Sequence, residues 1–383
     1  MSKWEKVKLG DVGIIITGNT PPTNIDEYYI SNDIPFYRPN DIKEDVVVDL
    51  VTPTKYVAEQ ARKKCRIIPS NSVLVTCIGI IGKVAITSSE CTCNQQINAI
   101  IPYQETCDCR YLAYTVLSAK KVLQNIANAP VVPIINKTQF SNTYIPLPPI
   151  EQQRKIAATL DVVSDLLKMR KQQLAELDKL VKSQFTEMFG DLVTNPMGWE
   201  VKSLYDIADY YIGLTYKPTD EANDGVIVLR SGNIQNGQIV LSDILRVNKK
   251  IPDKLFVKNK DILMCSRNGS EKLVGKVALI ENPSESMTFG AFMTIVRSRH
   301  YRYLLTFFEN EAFRAQITSA KTTTINQITK AMLDRISIPL PPLALQKRFA
   351  DFVESADKFK HIIQQSIDQT QALFDSLMNE YFE

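Results

Sequence analysis

The sequence predicts an α+β protein in which two similar mixed α/β domains alternate with two long coiled-coil helices. Three observations predict this fold class. Sequence motifs recur at a shift of 192–195 residues along a chain of 383 residues. Two segments of about 45 residues carry apolar side chains at helical spacing, and the larger blocks carry short β-like runs.

The repeated motifs indicate a tandem duplication with pseudo-two-fold symmetry. Trp4-Glu5 recurs as Trp199-Glu200, Gly-Lys-Val-Ala at 82–85 recurs at 275–278, and Ile-Pro-Leu-Pro-Pro at 145–149 recurs at 338–342. The shift is close to half the chain length throughout. It divides the chain into a domain (1–144), a long helix (145–191), a second domain (192–338) and a second long helix (339–383).

Each larger block predicts a twisted, largely antiparallel sheet with a few helices. The β-like runs, rich in Val and Ile, lie at 73–76, 83–86 and 97–101 in the first block and at 226–229 and 261–264 in the second. Helical patterns lie near 110–128 and 300–318.

The two shorter segments predict long helices that start after Pro148-Pro149 and Pro341-Pro342, where proline's fixed φ suits a first helical turn. Apolar residues at a period near 3.5 predict a coiled-coil seam. The seam residues are Leu160, Val163, Leu167, Leu174, Leu177 and Val181 in the first helix and Phe352, Ala356, Phe359, Ile363, Leu373 and Leu377 in the second. Forty residues of helix are about 60 Å long. The alternative is that each helix lies separately along its own domain.

Composition excludes several classes of protein. The chain is 44% hydrophobic and 23% charged, as globular proteins are, and no apolar run is long enough to cross a bilayer. The charged N-terminus does not have the pattern of a signal peptide, so we expect a cytoplasmic protein. The net charge of +3, from 45 basic and 42 acidic residues, is low for a protein that binds DNA alone without sequence preference.

The sequence offers no catalytic constellation. Its two histidines, His300 and His361, supply no plausible Ser-His-Asp or Cys-His arrangement, and there is no H-E-x-x-H motif. The short loop 79–83 predicts a hairpin turn rather than a phosphate-binding loop. No loop or glycine-rich turn matches an amino-methyltransferase. The chain is therefore interpreted as an adaptor without catalytic residues.

Seven cysteines raise the question of a metal. The pairs Cys91-x-Cys93 and Cys107-x-Cys109 suggest zinc, but their spacing is not that of a zinc knuckle. We therefore expect free thiols, without disulfides, and no bound metal.

The repeated W-E-x-V opening, the two G-K-V-A hairpins and the two I-P-L-P-P helix starts, each followed by Gln and basic residues, resemble the specificity (S) subunit of type I restriction–modification systems. The resemblance covers essentially the whole chain. It implies two target-recognition domains, each reading one half of a split, asymmetric DNA site, and two helices that pack antiparallel and set the gap.

The resemblance also implies partners. Two methyltransferase (M) subunits would dock on the helices, and motor-nuclease (R) subunits would complete the restriction complex on double-stranded DNA. S-adenosylmethionine, Mg²⁺ and ATP are expected on those partners only, with no cofactor on this chain. One departure is that no longer tail follows the second helix in this sequence.

Base reading needs side chains such as Arg, Lys, Asn and Gln on loops, and phosphate contacts need positive charge. The DNA-binding candidates in the first block are Thr17, Asn19, Arg38, Lys55, Lys63, Lys64, Arg66 and Lys83, and those in the second are Arg230, Lys249, Lys250, Arg267, Asn268, Lys276, Lys321 and Thr322. Each has a solvated surface residue as its alternative. Lys83 and Lys276 occupy the same point of a hairpin in both halves, whereas residues that discriminate sequence should differ between the halves.

Two other functions remain open from the residues alone. One is a DNA-targeting subunit of a different restriction assembly, in which a single partner chain methylates and cleaves. The other is a coiled-coil scaffold for proteins without DNA binding.

Overall fold

The structure, a computed structural model, describes residues 4–127, 132–319 and 326–382. The chain divides into two compact units. Unit 1 contains residues up to 173 together with the stretch from 363 onward, and unit 2 contains residues 174–362. Each of the two long helices therefore contributes one part to each unit.

Unit 1 is a mixed α/β unit built on two sheets. The larger sheet has the strand order β2-β9-β6-β7-β4, the smaller has the order β5-β3-β8, and β1 pairs with β10. The strands are β1 (Lys6–Lys8), β2 (Gly13–Thr17), β3 (Ile34–Tyr37), β4 (Val47–Leu50), β5 (Lys55–Val57), β6 (Val73–Thr76), β7 (Val84–Thr87), β8 (Thr92–Cys93), β9 (Ile97–Pro102) and β10 (Tyr144–Pro146), and the helices are α1 (Cys109–Ser118), α2 (Lys120–Ile126), α3 (Lys137–Ser141) and α4 (Ile150–Phe189).

The central strands of unit 1 show why continuous apolar runs form the sheet. Every residue of β6 and β7 is buried. Helix α1 packs against both strands, and Leu74 and Ala85 belong to an apolar cluster that also contains Tyr37. A strand that is covered on both faces has no polar alternation to show.

Unit 2 repeats this topology with a second set of elements. Its sheets have the orders β12-β20-β17-β18 and β16-β13-β19, and β11 pairs with β21. The strands are β11 (Glu200–Ser203), β12 (Asp209–Ile212), β13 (Glu221–Leu229), β14 (Ile234–Gln235), β15 (Gln238–Ile239), β16 (Arg246–Val247), β17 (Ile262–Cys265), β18 (Val277–Leu279), β19 (Met287–Phe289), β20 (Met293–Arg297) and β21 (Ser337–Leu340), and the helices are α5 (Leu204–Ile207), α6 (Tyr301–Glu309), α7 (Glu311–Ser319), α8 (Lys330–Asp334) and α9 (Leu343–Phe382).

The predicted mixed α/β fold class and its duplication are confirmed. The strands of each block form a larger and a smaller sheet rather than one sheet. Most strand pairs are antiparallel. The smaller sheet of each unit contains one parallel pair, β3–β8 in unit 1 and β13–β19 in unit 2. Unit 1 also adds β4 parallel to β7 at the edge of its larger sheet.

A buried glutamine attaches each long helix to its domain. Gln153, in the first turn of α4, donates to Pro148 O (2.8 Å) and accepts the backbone N–H of Asp108 (2.9 Å). Gln346 in α9 donates to Pro341 O (2.7 Å), and its Oε1 lies 2.8 Å from Nδ1 of the buried His300. Neither glutamine side chain is accessible enough to exchange these partners for water, so each fixes the start of its helix.

The long helices bury a continuous stripe of apolar side chains in each unit. In unit 1, Leu160 and Leu167 of α4 are buried, and Phe374 of α9 packs against Tyr114, with 6.2 Å between the ring centroids. In unit 2, Phe185 and Phe189 both contact Phe349, with centroid separations of 5.3 Å.

The two helices run antiparallel where they meet in unit 2. Phe189, at the end of α4, contacts Phe349 near the start of α9. About three turns away along both helices, Asp178 of α4 forms an ion pair with Lys360 of α9 (2.6 Å). The contacting residue numbers therefore increase along α9 as they decrease along α4.

Two of the predicted seam residues are wrong. Phe359 is 61% exposed and Leu373 is 50% exposed. The buried stripe runs instead through Val353, Ile367 and Phe374, with the half-buried Lys360 between them. Lys360 and Phe374 each lie one residue after the predicted position. Phe352, Ile363 and Leu377, and also Leu174, Leu177 and Val181 of α4, are half-buried, whereas Val163 and Ala356 are buried as predicted.

Candidate nucleic-acid interface

Each unit has a glycine where the chain crosses a neighbouring loop directly after a strand. Gly18 follows β2 and donates to Ile97 O (2.9 Å), and a Cβ there would lie 2.3 Å from Asn94 O. Gly213 follows β12 and donates to Met293 O (3.0 Å), and its Cβ would lie 2.2 Å from Gly290 O. Only glycine allows this approach. The crossing holds the loops after residues 18 and 213 against the end of the larger sheet.

A hairpin connection lies beside each crossing, and we call residues 77–82 tip 1 and residues 266–275 tip 2. Cys77 N–H donates to Gln96 O (2.8 Å), and Cys77 O accepts from Ile135 N–H (2.9 Å). In tip 2, Ser266 N–H donates to Phe292 O (3.0 Å), and Ser266 O accepts from Ile328 N–H (2.7 Å). The two tips therefore start from the same backbone frame.

Buried polar pairs support both tips from below. Asn98 donates to Cys77 Sγ (3.2 Å) and accepts from Thr17 Oγ1 (2.7 Å). Burial raises the pKa of the Cys77 thiol to about 12, so it stays neutral. In unit 2, Thr294 Oγ1 donates to Ser266 Oγ (2.9 Å). Satisfied polar groups at these positions hold the base of each tip rigidly.

Unit 1 gathers basic side chains around its glycine crossing. The side chain of Asn19 donates to Lys64 O (2.6 Å) and accepts from Arg66 N–H (2.8 Å), and Arg66 Nη1 donates to Thr17 O (2.7 Å). Asn19 thereby joins the loop to the segment that carries Lys63, Lys64 and Arg66, all three exposed. The ammonium groups of Lys55, Lys63 and Lys64 have no acceptor within the described part of the chain. This cluster suits phosphate contacts.

In unit 2, ion pairs already occupy two of the predicted candidates. Arg230 pairs with Asp243 (2.7 Å), and Lys249 pairs with Asp220 (3.3 Å) and donates to Thr215 O (3.1 Å). The backbone N–H of Lys217, assisted by Lys249, lowers the pKa of Asp220, which therefore stays charged. Lys250 is exposed, and no partner of its ammonium lies within the described residues.

Tip 2 presents an arginine over an exposed ring. The Arg267 guanidinium lies 5.1 Å from the centroid of Phe292, which is 57% exposed. Next to it, Asn268 Nδ2 donates to Ser231 Oγ (3.2 Å). Among the described residues, Arg267 has no carboxylate partner. Donors held in one plane at an exposed edge can form paired hydrogen bonds to a base or a phosphate.

The two repeated lysines point into their own domains. Lys83 Nζ lies 3.3 Å from Pro39 O and 3.6 Å from Glu44, and only 9% of its side chain is exposed. Lys276 Nζ donates to Ile234 O (2.7 Å). Arg38 donates to Thr54 Oγ1 (2.8 Å). Its buried Nε has no partner within the described residues. We assign the two lysines a role in holding their hairpins, since a DNA contact would break these bonds.

The remaining predicted candidates, Lys321 and Thr322, lie outside the described residues. Phe292 and its counterpart Gln96 were not selected from the sequence, because neither residue type by itself indicates a DNA contact. A signal was nevertheless present. Strands β6 and β17 match at a shift of 189 residues, whereas the G-K-V-A motifs that follow match at 193. The four-residue difference falls within the tips.

The described ranges contain neither a metal-type cluster of side chains nor a helix of the membrane-spanning type. No cluster of three or more His, Cys, Asp or Glu side chains there could hold a metal ion. Across the same ranges, no helix has both the length and the hydropathy of a membrane span. The seven cysteines are free thiols.

Comparison with known proteins identifies similar sequences. The family model described as the type I restriction modification DNA specificity domain matches twice, at residues 1–179 and 196–371. The MjaIX specificity subunit of a type I restriction enzyme from Methanocaldococcus jannaschii is 26% identical over 92% of this chain and 86% of its own length. The MjaVIII specificity subunit from the same organism is 24% identical over 98% of this chain and 91% of its own length.

Solved structures share the fold. The S subunit of a type I restriction–modification system from M. genitalium superposes with a TM-score of 0.59 at 13% identity, covering 100% of this chain and 96% of that chain. A chain from work on the assembly and conformational transition of the type I R-M system gives a TM-score of 0.56 at 20% identity, covering 99% of this chain and 97% of that chain.

Proposed function

We infer, because the chain belongs to the family of type I restriction–modification DNA specificity proteins, that it supplies the sequence selectivity of such a system. It selects the DNA site and leaves methylation and cleavage to partner subunits. Two matches to the family domain, at residues 1–179 and 196–371, carry this inference. Each match contains one glycine crossing and one tip.

Each unit reads one half of a split DNA site. The two units share a backbone frame, from the crossings at Gly18 and Gly213 to the hydrogen bonds under Cys77 and Ser266. The side chains on that frame differ. A shared frame with different side chains suits one protein that must read two different short sequences.

The long helices set the gap between the half-sites. Helices α4 and α9 are each continuous over 40 residues, which is about 60 Å of helix, against about 34 Å for one turn of B-DNA. The ion pair between Asp178 and Lys360 and the ring contacts of Phe349, all within unit 2, support the role of the paired helices as a spacer.

Two methyltransferase subunits dock on the helices, and motor-nuclease subunits complete the assembly. Exposed apolar side chains on the helices support this docking, because an exposed apolar patch favours contact with another protein. They are Val162, Met169 and Leu180 of α4 and Phe359, Ile362 and Leu373 of α9. S-adenosylmethionine, Mg²⁺ and ATP bind to those partners. Free thiols in all seven cysteines support a cytoplasmic location.

Mapping of adenine methylation tests the proposal directly. The chain is expressed together with its methyltransferase subunit in a host that lacks other adenine methylation, and the modified motif is determined. We expect a split motif with a fixed gap. Replacing residues 1–144 with the equivalent block of a relative should change one half of the motif and leave the other half and the gap unchanged. A continuous motif, or a change in both halves, would contradict the proposal.

A binding experiment separates the remaining functions. The purified chain, alone and with the methyltransferase subunit, is titrated with duplex DNA at several salt concentrations. A specificity subunit should give binding that weakens steeply as salt rises, with a preference for the mapped motif. A protein scaffold would show no salt-sensitive DNA binding in either case. Methylation and cleavage by one partner chain would indicate a different restriction assembly.

A further inference from the structure

The two tips are the places where the duplicated units differ most while their flanking backbone stays the same. Beyond the shared hydrogen bonds at Cys77 and Ser266, both tips close on an equivalent glycine. Gly82 N–H donates to Thr76 O (3.0 Å), and Gly275 N–H donates to Cys265 O (2.8 Å). Both glycines have positive φ, 84° and 83°, a conformation that glycine adopts without strain.

Between these matched ends, the tips differ in length and chemistry. Tip 1 carries four residues between Cys77 and Gly82, the sequence Ile-Gly-Ile-Ile. Tip 2 carries eight residues between Ser266 and Gly275, the sequence Arg-Asn-Gly-Ser-Glu-Lys-Leu-Val. The neighbouring loop position that accepts the tip's first hydrogen bond is Gln96 in unit 1 and Phe292 in unit 2.

Phe292 constrains Arg267 in tip 2 through its backbone oxygen and through its ring. Phe292 O accepts the backbone N–H groups of both Ser266 and Arg267, each at 3.0 Å, and the hydroxyl of Ser266 at 3.1 Å. The Phe292 ring then lies against the guanidinium, 5.1 Å from its centre. Because the backbone of Arg267 is held and the ring contacts its guanidinium, part of the side-chain entropy is already lost before the guanidinium binds.

The charge of Arg267 is also available. Four other arginines of unit 2 are paired with carboxylates: Arg230 with Asp243, Arg246 with Glu285, Arg297 with Asp261, and Arg302 with Glu281 and Asp357. Arg267 is exposed, and it has no such partner among the described residues. An unpaired guanidinium in a fixed plane matches the O6 and N7 acceptors of guanine in the major groove.

We propose that tip 2 determines the sequence read by unit 2, with Arg267 donating to the edge of a guanine and Phe292 positioning its guanidinium. This rests on the proposed function, since it assigns the reading of one base pair within one half-site. Tip 1, at the equivalent place, offers Ile78 and the half-exposed Ile80 in place of these donors. The residues of tip 1 therefore offer a guanine no side-chain donor at this position.

Substitutions at Arg267 separate base reading from phosphate binding. The wild-type chain, Arg267→Ala, Arg267→Lys and Phe292→Leu are each assembled with the methyltransferase subunit. Their affinities are measured for the mapped duplex and for duplexes with single base-pair changes in either half-site. Lys250→Ala, which removes an exposed basic group of the same unit, serves as the matched control. Thermal unfolding of each variant verifies that it is folded.

We expect Arg267→Ala to weaken binding to the mapped site roughly 10- to 100-fold, the usual range for loss of a paired arginine–guanine contact. The loss of discrimination should be confined to one G·C pair in one half-site. Duplexes that carry any of the four base pairs at that position should then bind the variant with equal affinity. Arg267→Lys should not restore discrimination, although it keeps the charge. Phe292→Leu should reduce discrimination at the same pair. Lys250→Ala should weaken all duplexes equally.

Two results would overturn the assignment. If Arg267→Ala weakens all duplexes equally, and Arg267→Lys restores binding to all of them equally, the residue contacts phosphate. If discrimination at every position survives in Arg267→Ala, tip 2 does not read the base. Both results leave the proposed function standing, provided that the wild-type complex still prefers its split motif. A wild-type complex without any sequence preference would instead overturn the proposed function itself.

Discussion

Truncation of Phe374 should destabilise unit 1 far more than truncation of its neighbour Leu373. Phe374 is 8% exposed and packs against Tyr114, whereas Leu373 is 50% exposed. Replacing a buried phenylalanine with alanine costs about 3–5 kcal/mol of unfolding free energy, because transfer energy is lost and a cavity remains. The ring pair contributes about 0.5–1.5 kcal/mol of that total. A half-exposed leucine leaves no cavity, so Leu373→Ala should cost about 1 kcal/mol or less.

Urea unfolding followed by circular dichroism measures the difference. With a slope of about 2 kcal/mol per molar urea, Phe374→Ala should lower the midpoint of the affected transition by about 1.5–2.5 M and Leu373→Ala by less than about 0.5 M. The two residues are adjacent on the same helix and are both replaced by alanine. Because phenylalanine has a lower helix propensity than leucine, the gain in propensity is larger for Phe374→Ala and cannot explain its larger loss of stability. Equal shifts in the two variants, or a larger shift for Leu373→Ala, would refute the position of the seam.

Three further outcomes are expected. Insertion of seven residues after position 173 in α4 and after 362 in α9 keeps the seam in register and adds about 10 Å of helix, so the methylated motif should keep both halves and widen its gap by about three base pairs; an unchanged gap would exclude the spacer role. Lys83→Met should lower the unfolding free energy by about 1–3 kcal/mol, because Pro39 O loses its donor, while leaving the salt dependence of DNA binding unchanged; a shallower salt dependence would place Lys83 at the DNA. In the native protein at pH 8, Cys77, Cys91 and Cys107 should resist iodoacetamide, since burial raises the pKa of each thiol to about 12. Denaturant alone should make all seven thiols reactive. If a chelator is also required, the thiols bind a metal.

The duplication, the helix starts and the main strands could be predicted because each has a local signal. The two prolines before Ile150 and Leu343 mark the first residues of α4 and α9. The run Val73–Thr76 is a strand with the bounds predicted from its apolar residues. These features depend on backbone chemistry and on residues close in sequence, so they can be read without knowing the tertiary structure.

The seam of α9 could not be placed because two registers fit the sequence equally well. Both registers contain Phe349, Ala356, Ile363 and Thr370. They differ only in whether the next seam residue after each of these lies three or four positions further along the helix. Apolar residues occupy both choices at Phe352 and Val353 and at Leu373 and Phe374. The charge of Lys360 favoured the exposed alternative, Phe359. In the folded chain Lys360 pairs with Asp178 (2.6 Å), a partner 182 positions earlier in the sequence.

The DNA-binding candidates were chosen by charge, and charge alone does not reveal whether a side chain is already paired with another residue of the protein. Arg230 and Arg267 look alike in sequence, yet Asp243 neutralises the first, while Phe292 supports the second. Both partners are brought close by the fold of the chain: Asp243 is thirteen residues from Arg230, and Phe292 lies in the loop before β20, twenty-five residues from Arg267. Only the folded structure tells which guanidinium is available.

The duplication itself separates architecture from recognition in this chain. Residues that match between the halves make equivalent internal bonds. Tyr111 and Tyr303 donate to Pro146 O and Pro339 O, the buried glutamines of α4 and α9 hold their helix starts, and the hairpin lysines donate to backbone carbonyls. A side chain that is needed to build the frame is needed in both copies, whereas one that reads DNA must differ if the half-sites differ. A residue that is identical in the two halves is therefore a poor candidate for base reading. A residue that differs between the halves on the shared backbone frame, as Arg267 does, is a better candidate for base reading.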